Sequence, residues 1–184
     1  GNVRMTIIVI VQARMGSKRF PGKVLEQINN KPVVKYISET LEKLKIDREI
    51  DNFIFAVPDT PENKPLWNFF ENEKINFFKG SNEDVLDRFY KCAIQNNGDT
   101  IVRLCADNPF IEKWQITQQL QNFEKHKKFT YGNGAWVFSF EDLEESWKNG
   151  NHPEDREHVV SRMYKTIDYP DDLKRLQKIN QILN

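Results

Sequence analysis

The residues best suited to chemistry gather first in one stretch, residues 14–23 (RMGSKRFPGK). Arg14, Lys18, Arg19 and Lys23 are basic and none of the ten is acidic, in a chain whose 27 Lys+Arg balance 27 Asp+Glu. Gly16 and Gly22 let the backbone approach a ligand closely, and Ser17 adds a hydroxyl. Cationic side chains beside free backbone N–H groups are what a polyphosphate requires; a solvated surface loop is the plain alternative. Two known phosphate motifs do not fit. The dinucleotide pattern G-x-G-x-x-G is absent. A P-loop places four residues between its glycines and a Ser or Thr after the Lys to hold magnesium. Here five residues separate Gly16 from Gly22, and Val24 follows Lys23. A metal bound with the phosphates must therefore be held elsewhere in the chain.

Magnesium is a hard cation that prefers oxygen ligands, so carboxylates are the candidates. Asp107 directly follows an apolar run, and Asp168 lies in the stretch TIDYPDDL. Each has a structural alternative: Asp107 as a turn former before Asn108-Pro109, Asp168 as a helix cap or first-turn acid. Arg103 alternates with apolar neighbours in the run TIVRLCA. A charge buried there is costly unless met, which leaves ligand binding and a buried salt bridge open. Asp84, Asp87 and Arg88 fit one exposed helical turn, with an Asp84–Arg88 pair at i,i+4. His126, His152, Cys92 and Cys105 have no metal-ligand spacing, and both cysteines are expected in the core.

These residues need elements to place them. Residues 5–13 (MTIIVIVQA) form a continuous apolar, β-branched run, which predicts a strand buried on both faces. Pro32 opens a helical pattern with Val33, Tyr36, Ile37, Leu41 and Leu44 three or four apart. Strands are predicted at 52–57, 75–78 and 100–106, with helices at 62–73, 84–97 and 112–125 between and after them. Two more strands, 129–131 and 136–140, flank a turn at Gly132-Asn133-Gly134. Helices at 141–149, 154–165 and 170–183 complete the chain. Strands alternating with helices argue for βαβ units, a mostly parallel sheet and a three-layer α/β fold. Ligands of such sheets bind beyond the carboxyl ends of the strands, where residues 14–23 and Asp107 fall.

At 184 residues the chain predicts one domain. The 39% hydrophobic fraction can fill a core. Zero net charge supplies no global field to attract nucleic acid or an anionic membrane surface. No apolar run approaches the roughly 20 residues of a membrane span. Two cysteines do not make a disulfide framework, and with no leader visible a cytoplasmic protein is expected.

The stretch VQARMGSKRFPGKVL resembles the nucleotide loop of cytidylyltransferases that activate acidic sugars. These are the 3-deoxy-manno-octulosonate and acylneuraminate cytidylyltransferases and the spore coat polysaccharide biosynthesis protein F group. Phe20 replaces a Leu of the pattern A-R-x-G-S-x-R-L-P-G-K. IVRLCADNPFI, GSNEDVLDRF, REHV and TIDYPDDL are similar to further family segments, in the same order along the chain.

The resemblance implies a Rossmann-like, nucleotide-diphospho-sugar-transferase-type fold and Mg²⁺-dependent transfer of CMP from CTP to a small acidic acceptor. It implies Asp107 and Asp168 as magnesium ligands, and Arg14, Ser17, Arg19 and Lys23 around the phosphates. Ser81, Asp84, Arg88 and Arg103 fall beside the nucleotide with Gly16, and the N–H of Ala13 is assigned to the cytosine edge. Arg156 and His158 are assigned to the acceptor, a helix-packing or surface role being the alternative for His158. The nucleotide part spans about 5–125 and the acceptor and dimerisation part about 126–184. That second part is shortened: residues 134–139 (GAWVFS) compress a longer family loop, and a segment between Met163 and Thr166 is missing. Three functions stay open: transfer to an acidic sugar, transfer to a smaller phosphorylated or phosphonate acceptor, and a nucleotide-binding module without turnover.

Overall fold

The computed structural model describes residues 5–16 and 19–164. In chain order the first elements are β1 (Ile7–Gln12), a short hairpin of β2 (Gln27–Ile28) and β3 (Lys31–Pro32), α1 (Val33–Ile46) and β4 (Asn52–Pro58). Then come α2 (Lys64–Glu73), β5 (Phe77–Gly80), α3 (Val85–Gln95), β6 (Thr100–Cys105) and α4 (Lys113–His126). The strands β7 (Thr130–Gly132) and β8 (Ala135–Ser139) and the helices α5 (Phe140–Asn149), α6 (Pro153–His158) and α7 (Ser161–Tyr164) follow.

Six strands form one sheet in the order β5-β4-β1-β6-β8-β7. The first four run parallel; β8 lies antiparallel to β6, and β7 antiparallel to β8. The central position of β1 explains its unbroken apolar sequence: both edges are paired and both faces are covered. Val9 and Val11 face a core built with Val34, Ile37 and Leu41 of α1, Leu66 and Phe70 of α2, and Ile116 of α4. Ile8 and Ile10 point the other way, against Leu86 and Phe89 of α3, Leu143 of α5 and Met163 of α7. The result is the expected α/β arrangement, a mostly parallel sheet between two layers of helices.

Three local differences from the sequence expectation have physical causes. The strand expected at 75–78 begins at Phe77 instead, because α2 uses the intervening residues to close itself. Lys74 takes the left-handed conformation (φ 57°), its N–H donates to Glu71 O at 3.2 Å, and Ile75 N–H donates to Phe70 O at 2.9 Å. The β2–β3 hairpin was not expected. Asn29 and Asn30 both adopt positive φ, 51° and 64°, the two-residue turn whose twist suits a hairpin. The helix expected over 154–165 breaks at Val159, which has φ 60° and ψ −55°.

The compressed stretch after Tyr131 is a tight turn. Gly132 pairs with Ala135, while Asn133 (φ 55°) and Gly134 (φ 83°) reverse the chain. Through β8 this later part extends the parallel sheet directly from β6. The helix expected at 170–183 lies outside the described residues.

Candidate active site

The carboxyl ends of β1 and β6 lie side by side, Gln12 paired in register with Cys105. Beyond them is a cleft of about 170 Å³ lined by Gln12, Ala13, Arg14, Gly16, Lys23, Val24, Cys105, Ala106 and Asp107. The basic loop and the first candidate carboxylate, 84 residues or more apart in sequence, therefore share one site.

The loop is shaped by backbone hydrogen bonds. Gly22 N–H donates to Met15 O at 2.7 Å, and Leu25 N–H donates to Gly22 O at 3.0 Å. Gly22 has φ 73°, a conformation that favours glycine, and it turns the chain back so that Lys23 faces the cleft. Asn63, wholly buried between β4 and α2, pins the other end: its Oδ1 accepts from Met15 N–H at 2.9 Å. Its amide donates in turn to Thr60 Oγ1 at 2.9 Å. Asn63 was missed in the sequence, where an Asn after Pro61-Glu62 reads as ordinary loop chemistry.

Lys23, half-buried, and Asp107, exposed, both line the cleft. Among the described residues neither side chain has a hydrogen bond or an ion pair. Arg14 is exposed, yet its charge reaches Arg88. Arg88 is 1% exposed, and burial, helped by Arg14 and opposed by Asp59, lowers its pKa to about 10. Arg14 and Lys23 together make the cleft receptive to a polyanion. Arg19 is exposed and outside the cleft lining. Ser17 and Asp168 lie outside the described residues.

Several other sequence assignments change. The Ala13 N–H is already committed to Ala56 O at 3.2 Å and is not available to a cytosine edge, although Ala13 does line the cleft. Asp84 and Arg88 do not pair. Asp84 caps α3 by accepting from Asp87 N–H at 3.0 Å, and Ser81 Oγ accepts from Asp84 N–H at 3.0 Å. Arg88 turns inward, donating through Nε to Ser81 O at 2.8 Å and through Nη2 to Asn82 O at 3.1 Å. Its Nη1 finds no partner among the described residues. Gly80 must remain small, since a Cβ there would lie 2.6 Å from Arg88 Cγ. Ser81, Asp84 and Arg88 thus build one capped turn, and none of them lines the cleft.

Arg156 is likewise a structural clamp. Its Nε and Nη2 grip the Asp84 carboxylate at 2.9–3.1 Å, and its Nη1 donates to Trp147 O at 2.8 Å. These bonds tie α6 to the start of α3 and the end of α5, and the second N–H of Nη2 has no partner among the described residues. His158 is exposed beside Glu157, 3.8 Å away, and does not line the cleft.

Arg103 makes no salt bridge among the described residues. It is 7% exposed, with Nη2 donating to Gln12 Oε1 at 2.9 Å and Nη1 to His158 O at 3.4 Å. Its guanidinium lies 4.7 Å from the Trp136 ring and 5.5 Å from the Phe89 ring. Burial lowers its pKa. Gln12 and Cys105, both cleft-lining, were not among the expected site residues. The signal for Gln12 was a polar residue ending an otherwise apolar strand. Cys92 is core as expected, burial pushing its thiol up to about 12. Cys105 is in the cleft wall rather than the core, its thiol also raised by burial.

Among the described residues no three His, Cys, Asp or Glu side chains converge as a metal cluster. The donor set still suits magnesium, which is commonly held by one or two carboxylates while phosphates and water complete its shell. Asp107 supplies one such unpaired carboxylate at the mouth of a cationic cleft. No described helix is long and apolar enough to cross a membrane.

Known proteins share this sequence pattern and fold. The family described as cytidylyltransferase matches residues 8–169. An uncharacterized protein of Methanocaldococcus jannaschii is 34% identical, covering 93% of this chain and 75% of its own. Spore coat polysaccharide biosynthesis protein SpsF of Bacillus subtilis is 32% identical over 68% of this chain, and 53% of SpsF is matched. The 8-amino-3,8-dideoxy-manno-octulosonate cytidylyltransferase of Shewanella oneidensis is 27% identical over 66% of this chain and 49% of its own. The chain therefore spans about half the length of the latter two. Among solved structures, a cytidylyltransferase from Leptospira borgpetersenii superposes with a TM-score of 0.75 at 25% identity, covering 86% of this chain and 71% of that one. A CMP:2-keto-3-deoxy-manno-octonic acid synthetase complexed with CTP shares the fold, with a TM-score of 0.68 at 14% identity and coverage of 97% and 100%. With the family match running through nearly all of the sheet, the chain belongs to the cytidylyltransferase family of CTP-dependent nucleotidyltransferases.

Proposed function

We propose that this protein transfers CMP from CTP to a small acidic acceptor, an acidic sugar first, and releases pyrophosphate. The observation that carries this reading is the shared cleft at the carboxyl ends of β1 and β6, which Arg14, Lys23 and Asp107 line together, Asp107 unpaired among the described residues. In the reaction, an acceptor oxygen attacks the α-phosphorus in line. The bond from that phosphorus to the α,β-bridging oxygen breaks, pyrophosphate takes the electron pair, and the acceptor proton passes to solvent. Arg14 and Lys23 hold the β- and γ-phosphates, which fixes the α-phosphorus for attack and stabilises the leaving group. Asp107 is the described residue that would hold Mg²⁺, with Asp168 as the second ligand implied by family resemblance. When bound, the ion neutralises charge on the triphosphate. No protein nucleophile is needed, and none lines the cleft in an activated form: burial raises the Cys105 thiol. The two unpaired thiols suit a cytoplasmic setting.

A smaller acceptor is the second reading, supported by the two-residue turn at Asn133-Gly134 where the family resemblance implies a longer loop. One assay tests both. Pyrophosphate release with CTP and Mg²⁺ is measured against a panel of acidic sugars, phosphorylated metabolites and phosphonates. Release dependent on an acidic sugar is expected, and release only with a compact phosphate or phosphonate would replace the first reading with the second. No release with any acceptor, in a protein that binds CTP, would leave a nucleotide-binding module.

A further inference from the structure

Gln12 ends β1 in the wall of the cleft, on the sheet face it shares with Ile8, Ile10 and Arg103. Arg103 Nη2 donates to its Oε1 at 2.9 Å. A guanidinium offers donors and no acceptor. It can therefore hold only the carbonyl end of the Gln12 amide, and this fixes which end is left for the cleft: the NH₂ group, a donor. Among the described residues nothing accepts from that Nε2.

Arg103 is itself held from three sides. Trp136, its cross-strand partner on β8, lies under the guanidinium, Phe89 of α3 flanks it, and the His158 carbonyl reaches Nη1. That same carbonyl accepts from Val160 N–H at 2.5 Å, closing a three-residue turn around Val159. A β-branched residue at φ 60° is strained. Surrounding contacts must hold it there. The helix break between α6 and α7 thus places a backbone acceptor against Arg103.

We propose that Arg103 is a positioning residue that locks the Gln12 amide, and that Gln12 donates from Nε2 to an acceptor atom of the bound nucleotide. This rests on the nucleotide reading above. The acceptor atom is a pyrimidine N3 or O2, or a phosphate oxygen. Arg103 does not touch the nucleotide and acts through Gln12.

The test is calorimetric titration of wild type, Gln12→Glu and Gln12→Ala with CTP, cytidine and inorganic tripolyphosphate. Gln12→Glu keeps an acceptor for Arg103, so its melting temperature should equal or exceed that of wild type, while the donor is gone. CTP affinity should fall about five- to tenfold, the scale of one hydrogen bond. A matching loss with uncharged cytidine assigns the donor to the base; a loss with tripolyphosphate alone assigns it to phosphate. Arg103→Lys, which cannot span the same contacts, should weaken CTP binding in the wild-type background and add nothing in the Gln12→Ala background. Wild-type affinity in Gln12→Glu for all three ligands would overturn the proposal while leaving the nucleotide reading standing. Wild-type protein that binds none of them would overturn both.

Discussion

Asp107→Asn should cut turnover by roughly a thousandfold while leaving the fold intact. The carboxylate is exposed at the mouth of the cleft, with no hydrogen bond or ion pair among the described residues. Its removal therefore costs little stability, and Asn is an equally good turn residue between β6 and Pro109. Charge stabilisation of a transferring phosphoryl group by a bound divalent ion is worth several kcal/mol, so the rate should fall by roughly a thousandfold. Steady-state pyrophosphate release at saturating CTP, paired with a melting curve of the variant, separates the two effects. Turnover within a few-fold of wild type would remove Asp107 from the reaction.

Lys23→Ala should weaken CTP far more than CMP. Lys23 is half-buried, lines the cleft through the backward turn at Gly22, and has no carboxylate partner among the described residues to release when substituted. A charge-assisted hydrogen bond contributes about 1.5–3 kcal/mol, which corresponds to roughly 10- to 150-fold in the dissociation constant for CTP. CMP lacks the β- and γ-phosphates and should lose only a few-fold. Equal losses for the two ligands would move Lys23 away from the terminal phosphates.

The layers of the fold were legible because each buried strand reports its surroundings. An apolar β-branched run such as IIVIV can only sit where both faces are covered, and the spacing of Ile37, Leu41 and Leu44 allows one buried helix face, which Val34 extends while Val33 and Tyr36 are only half-buried. The edges were less so. Where α2 ends depends on Lys74 accepting a left-handed backbone, which no propensity of lysine announces. The break at Val159 is imposed by contacts from β6 and α7.

For the site, position along the sheet succeeded where pairing failed. Ala13, Arg14, Gly16, Lys23 and Asp107 could be placed at strand ends from sequence order alone, and the cleft holds them together. Partners depend on three-dimensional neighbours. Asp84 chose Arg156, 72 residues away, over Arg88 four residues along the helix. The fork of Arg156 meets the carboxylate through two nitrogens, whereas Arg88 can bury its stem and satisfy two loop carbonyls. In place of the buried salt bridge weighed for it, Arg103 meets a neutral amide on the adjacent strand.

The most direct measurement is thermal denaturation with CTP, UTP, ATP and GTP, each with and without Mg²⁺. A ligand at one hundred times its dissociation constant stabilises a protein by about 2.7 kcal/mol, which for a chain of this size raises the melting temperature by about 5–10 °C. A cleft built for the triphosphate of CTP predicts a shift of that order with CTP, larger when Mg²⁺ is present and smaller with the other three nucleotides. No shift with any nucleotide, or equal shifts with all four, would contradict a CTP-dependent transferase.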